Sequence, residues 1–314
     1  MITYIVRRLI LSVVVMFIVT VLVFLLIHLI PGDPARCLLG EEATLEQIEE
    51  LRKELWLDRP LTVQYGHWLT NVFKGDLGKS VLYGQPVKEL IMTRLPVTLN
   101  LSIFSFIIST VLGIGFGIIC AIRRGKTIDT VIALFSNIGI ATPIFWLAVI
   151  MIYTLGLKLG WLPLQGYTSP LEDPIMNIRQ AIMPVFCMVL FPMAVITRQT
   201  RSSMLEVVRQ DYIRTAWSKG LKERVIVISH AMKNALIPVV TLLGMQFRVL
   251  VGGLVLIETV FNIPGMGRLM VTSVFNKDSI AVQGCTLVIA IVVLLVNLAV
   301  DISYGWLDPR IRYE

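Results

Sequence analysis

Apolar residues in this chain run in uninterrupted blocks, not in short alternating stretches. Six blocks, residues 9–30, 97–122, 130–157, 181–197, 235–257 and 280–300, reach or approach the ~20 residues that a helix needs to cross the hydrocarbon core of a bilayer. The fourth is the shortest and carries Pro184 and Pro192, so neighbouring helices must satisfy the backbone groups those prolines free. Arg7 and Arg8 precede the first block as in a secretory signal. Its apolar run is longer than a signal's, however, and Pro31-Gly32-Asp33-Pro34 follows where a small-x-small cleavage site would stand. The first block is read as a retained helix.

The polar stretches between the blocks orient them. With the N-terminus in the cytoplasm, the inner segments hold fifteen Lys and Arg, eight of them between Arg198 and Lys233, whereas the two short outer loops hold four: Lys158, Arg179, Arg268 and Lys277. Positive charge concentrates on the cytoplasmic side of short loops, so the pattern predicts an all-α membrane protein with six transmembrane helices and both termini cytoplasmic. It divides into residues 1–30 as N-terminal segment and first span, 31–96 as an extracytoplasmic segment, and 97–314 as a five-helix core with a cytoplasmic loop at 198–234. Within the outer segment, Thr44 and Gln47 form a capping box before Leu45, Ile48, Leu51 and Leu55 at helical spacing. That helix has an acidic outer face, suited equally to solvent and to docking.

Composition excludes the alternatives. The 314 residues are 56% hydrophobic and 16% charged, against about 25% charged in a soluble domain. The mean hydropathy is +0.78. The net charge of +7 sits at span ends and does not indicate nucleic acid. Four cysteines, Cys37, Cys120, Cys187 and Cys285, form no C-x-x-C pair and read as small buried hydrophobes. Three histidines lack partners at metal-ligand spacing, and H-E-x-x-H is absent. Gly78-Lys79-Ser80 imitates the end of a phosphate-binding loop, but Phe73 stands where that loop needs glycine. No nucleotide site is expected on this chain.

A proton-coupled carrier would hold carboxylates deep in its helices, whereas Glu258 and Asp301 lie at span ends and Asp129 precedes one. One cation does lie deep: Arg248, two positions after Gln246 in the fifth block. Such a guanidinium either contacts solute on a translocation pathway or completes a structural pair. The cytoplasmic loop reads Asp211-Tyr212-Ile213-Arg214-Thr215-Ala216-Trp217-Ser218-Lys219-Gly220, a helix stopped by glycine with a lysine in its last turn.

Thr215-Ala216 with Lys219-Gly220, followed by His230-Ala231, Asn234-Ala235 and Ile237-Pro238, resembles the EAA loop of ABC importer permeases. The form is that of the dipeptide, oligopeptide, nickel and glutathione family. Pro31-Gly32-Asp33-Pro34, Gly75-Asp76-Leu77-Gly78, the run from Glu258 through Asn262-Ile263-Pro264-Gly265 to Arg268, and Leu307-Asp308-Pro309-Arg310-Ile311-Arg312 agree in the same order along nearly the whole chain. The match is to the first of the two permeases such transporters usually pair. The chain departs from a generic EAA loop in having Arg214 or Thr215 where a glutamate is usual, and in the position of Pro238.

The resemblance implies a type I ABC importer permease in a bacterial or archaeal inner membrane. Asp211, Tyr212, Arg214, Thr215, Ala216, Lys219 and Gly220 would then couple to a cytoplasmic ATPase, with Gln246 and Arg248 on the pathway. It further implies a second permease, one or two ABC ATPases that carry the ATP and magnesium, and an extracytoplasmic solute-binding protein. No cofactor is expected on this chain, and no catalysis by it. Peptides are the expected solutes; nickel or a metal chelate, and glutathione, are the alternatives within the family. Outside it, the rival is a self-contained secondary carrier.

Overall fold

The structure, a computed structural model, describes residues 2–29, 44–54 and 56–307. Cys37, Leu55 and the motifs Pro31-Gly32-Asp33-Pro34 and Asp308-Pro309-Arg310-Ile311-Arg312 lie outside them. Among the described residues, five helices are long and apolar enough to cross a membrane, and a bent pair makes six if it is counted as one span. The chain forms two compact units, Thr98–Ile263 with the part from Ala299, and Ile2–Val97 with Pro264–Leu298.

The second of these units contains helix α1 (Ile2–Leu29), the short helices α2 (Leu45–Glu54) and α3 (Leu61–Phe73), and the start of α4 (Val87–Ile122). The capping box forms: the Thr44 amide donates to Gln47 Oε1 (3.0 Å) and the Gln47 amide to Thr44 Oγ1 (3.4 Å). Helix α4 begins ten residues before the apolar block that predicted it, because Val87, Leu90 and Ile91 pack with Met266, Leu269, Ala281 and Cys285 in one core. The last two residues belong to α11 (Ser279–Leu307), and Met266 and Leu269 to α10 (Met266–Phe275). Asp278 joins the pieces. Its carboxylate accepts from the Ala281 amide (3.1 Å), as an N-cap does, and from the Ser80 hydroxyl and the Leu82 amide of the outer loop.

In the first unit, residues from the end of α4 are followed by α5 (Thr127–Ala141), α6 (Ile144–Met151) with a π-helical continuation Ile152–Lys158, and α7 (Pro174–Val207). After α8 (Asp211–Ser218) a helical run from Glu223 passes through a π-helical turn, Ile226–Ala231, into α9 (Met232–Val260). The third span expected at 130–157 is bent, since α5 and the run Ile144–Lys158 meet at 100°. Proline disfavours helical backbone in the residue before it, and Thr142, preceding Pro143, is extended at φ −81°, ψ 121°.

The fourth span, weakest in the apolar pattern, is the most buried of the five long helices. Met183, Met188, Met193, Ala194, Ile196, Thr200 and Met204 are among its buried side chains, and α7 packs against α5, α6 and α9. A helix packed this far on protein needs less lipid-compatible exterior, in keeping with a hydropathy below that of the first, second and last long helices. Its start is set by Pro174 behind Asp173, whose carboxylate caps the Met176 amide at 2.9 Å.

Candidate coupling helix and pathway residues

Helix α8 is eight residues long, too short to persist by propensity alone. Packing holds it. Ile213 and Ala216, one helical turn apart, are buried with Met204, Ile226, Val227, Ala231 and Ala235, and Ile118, Ala121 and Val207 close the cluster. Asp211 lies in the first turn, where the helix dipole favours an anion. At the other end, Gly220 adopts φ +74°, its amide donates to the Trp217 carbonyl (2.9 Å), and the Leu221 amide reaches back to the Ala216 carbonyl (3.4 Å). These two bonds form a Schellman stop, which needs a left-handed residue at that position.

The opposite face of α8 is polar and exposed. Asp211, Tyr212, Arg214, Thr215, Lys219 and Gly220 lie there with Trp217 and Ser218. Ala216, grouped with them in the sequence, instead faces inward and seats the helix. Arg214 pairs with Asp211 at 3.4 Å, with side chains 73% and 95% exposed, so solvent screens the pair almost completely. The Tyr212 hydroxyl accepts from Asn234 Nδ2 at 2.8 Å, which ties α8 to the first turn of α9. Ala216, Ala231 and Ala235 of the EAA-like stretch thus pack in one cluster, and Asn234 of the same stretch bonds Tyr212 of α8.

Gln246 is buried on α9, and its side-chain oxygen has no hydrogen-bond partner among the described residues. Between it and Arg248, Phe247 meets Phe106 of α4 edge to face, ring centres 5.1 Å apart. The backbone of Arg248 lies in α9; its side chain is outside the described residues. Near the end of α9, Glu258 is fully buried and accepts from the Thr98 hydroxyl at 2.6 Å. Asn262, at φ +54°, then stops the helix with a second Schellman pattern: the Ile263 amide donates to the Glu258 carbonyl (2.8 Å) and the Asn262 amide to that of Thr259 (3.4 Å).

Two features are absent from the sequence reading. Arg201 donates from Nε and Nη2 to the two carboxylate oxygens of Asp129, both at 2.8 Å, and the Gly125 amide adds a third bond at 3.0 Å. The partners are 72 positions apart, so no local pattern could pair them. Gly113 and Gly117, by contrast, form a legible G-x-x-x-G on α4. A Cβ at Gly117 would stand 2.4 Å from the Thr200 side chain, and one at Gly113 would stand 2.7 Å from that of Ile196, so these glycines set how closely α4 approaches α7.

Comparison with known proteins agrees with this arrangement. Residues 113–313 match the family described as binding-protein-dependent transport system inner membrane component, and residues 1–102 match its N-terminal counterpart. A Brucella abortus (strain 2308) protein provisionally named a peptide transport system permease is 43% identical over 310 residues, covering 99% of both chains. A glutathione transport system permease of Escherichia coli O6:H1 is 40% identical over 314 residues, covering both chains completely. Among solved structures, the inward-facing methionine ABC transporter MetNI aligns with a TM-score of 0.56 at 17% identity, covering 70% of this chain and 96% of that one. At that identity the likeness is one of fold.

Proposed function

This chain belongs to the inner membrane components of binding-protein-dependent transport systems, the multi-pass permease subunits of ABC importers, and from that membership we propose that it forms half of a translocation pathway for peptides or peptide-like solutes. Its full-length relatives carry peptide and glutathione permease names, and glutathione is itself a tripeptide. The shared chemistry is a short amide-linked solute with a free carboxylate. Arg248 suits such a solute, since a guanidinium binds a carboxylate through two parallel hydrogen bonds. The second reading, glutathione in particular, rests on the same relatives and differs only in the solute.

ATP and magnesium act on partner subunits: one or two cytoplasmic ABC ATPases bind the exposed face of α8, and a second permease completes the pathway. A solute-binding protein delivers the solute from outside. Closure of the ATPases pushes α8, and the spans swing between inward- and outward-facing states, a two-state element biased from both of its ends. The observation that carries this reading is the construction of α8, an isolated short helix with an apolar face seated on membrane helices and a polar face left open.

Purification of the tagged protein from its own membranes in mild detergent, with mass spectrometry of what accompanies it, tests the assembly. A second permease and one or two ABC ATPases are expected. A chain that emerges alone and still transports in liposomes would replace the importer by a secondary carrier. Screening the accompanying binding protein against dipeptides, oligopeptides, glutathione and nickel chelates then identifies the solute.

A further inference from the structure

The segment between the first two spans contains two helices of opposite character. Helix α2, Leu45–Glu54, has six charged residues in ten; helix α3, Leu61–Phe73, has none in thirteen. Charges resume immediately outside α3, with Asp58 and Arg59 before it and Lys74 and Asp76 after it. The composition of α3 is that of a bilayer interface, where aromatic rings with one polar edge concentrate.

Contacts with α1 fix its depth. Tyr65 of α3 shares a hydrogen bond with the Thr20 hydroxyl at 2.8 Å and meets Phe17 and Phe24 edge to face, with ring centres 6.4 and 5.4 Å apart. Trp68 also lies against Phe24, at 5.9 Å. Thr20 is twelve residues beyond Arg8 on the same helix, a rise of ~18 Å. With Arg8 at the inner boundary of a hydrocarbon core ~30 Å thick, Thr20 stands ~12 Å below the outer boundary, and any tilt of α1 places it deeper. A helix whose rings reach Thr20 is therefore within the outer leaflet, not above it.

The polar groups of α3 are arranged accordingly. Gln64 is buried and donates to the Arg59 carbonyl at 2.8 Å, Thr70 donates to the Gly66 carbonyl at 2.7 Å, and His67 stacks on Trp56 with ring centres 4.3 Å apart. The large side chains that α3 leaves exposed are apolar, Leu61 at 51%, Val63 at 42% and Phe73 at 83%, and the polar ones beside them are only Thr62 and the self-bonded Thr70. On α1, Val13, Phe17 and Leu22 are likewise exposed.

We propose that α3 is an interfacial helix embedded in the outer leaflet, with lipid acyl chains covering Leu61, Val63 and Phe73, so that the extracytoplasmic segment is anchored to the bilayer at its middle. The test uses the assembled transporter in phosphatidylethanolamine and phosphatidylglycerol vesicles, with the native cysteines replaced by alanine. A Phe73→Cys variant carries an environment-sensitive fluorophore, and Leu45→Cys on α2 serves as the aqueous reference. Nitroxide on lipid acyl chains should quench the Phe73 site about threefold or more over the reference, and aqueous iodide should show the reverse order, as burial of an apolar face at the acyl boundary requires. Equal iodide quenching at the two sites would overturn the proposal. So would a Phe73 site protected from both quenchers, since a protein partner would then cover it.

Discussion

At Gly220 the backbone sits at φ +74° and nothing lies within 4 Å of where a Cβ would stand. A side chain there meets only the left-handed penalty, about 1–2 kcal/mol, yet projects beside the exposed face of α8. Gly220→Trp is therefore expected to fold and assemble but to lose most uptake while ATP hydrolysis by the complex continues; parallel uptake and hydrolysis assays decide it, and normal uptake would remove α8 from the coupling role. Gln246 poses a different question. A buried carbonyl without a partner costs about 1–3 kcal/mol, so Gln246→Met should unfold at an equal or higher temperature in detergent and yet transport several-fold less. Arg248→Ala should likewise reduce uptake more than recovery of the assembled complex. If assembly falls in step with uptake, the arginine completes a structural pair.

At the scale of elements, α7 is held by contacts that can be broken one at a time. The Asp129 side chain is 8% exposed and that of Arg201 is 35% exposed, so the pair is partly shielded from solvent. Asp129→Asn leaves the guanidinium without its counter-charge and should cost about 2–3 kcal/mol, below the fully buried range because water reaches the arginine. Arg201→Lys should cost less, since it keeps the charge opposite Asp129, but still weaken the fold, because an ammonium cannot reproduce the two parallel bonds. Gly117→Leu should be more severe, because its first side-chain carbon already falls 2.4 Å from Thr200. Overpacking there should lower stability by more than about 3 kcal/mol, beyond the usual range because the clash begins at the first side-chain carbon, and denaturant unfolding in detergent measures all three variants on one scale. An unchanged midpoint for Gly117→Leu would show that α4 and α7 are not in close contact.

At the scale of the whole molecule, the chain is one permease subunit, and the proposed function draws its energy from ATP hydrolysed by partner subunits. Uptake by the reconstituted assembly should require ATP inside the vesicle and should persist when ionophores collapse the ion gradients. Loss of uptake with ionophore alone would return the secondary carrier to first place. This prediction is independent of the solute.

Much of the architecture was legible because the signals are local. Apolar block length and flanking charge depend on neighbouring residues along one helix, so the spans and their orientation could be read directly. The capping box of Thr44 and Gln47 and the helix stop at Gly220 need only contacts within a few positions, and both form in the structure. The tertiary structure decided what depends on which helices meet. It bent the third span at Thr142 and made the span with the shortest apolar block, interrupted by Pro184 and Pro192, the most buried of the long helices. It turned Ala216 inward, joined Asp129 to Arg201 across 72 positions and laid an uncharged helix against Thr20 of α1. Hydropathy records how well a segment tolerates an apolar surrounding, but lipid and protein are both apolar, and only packing distinguishes them.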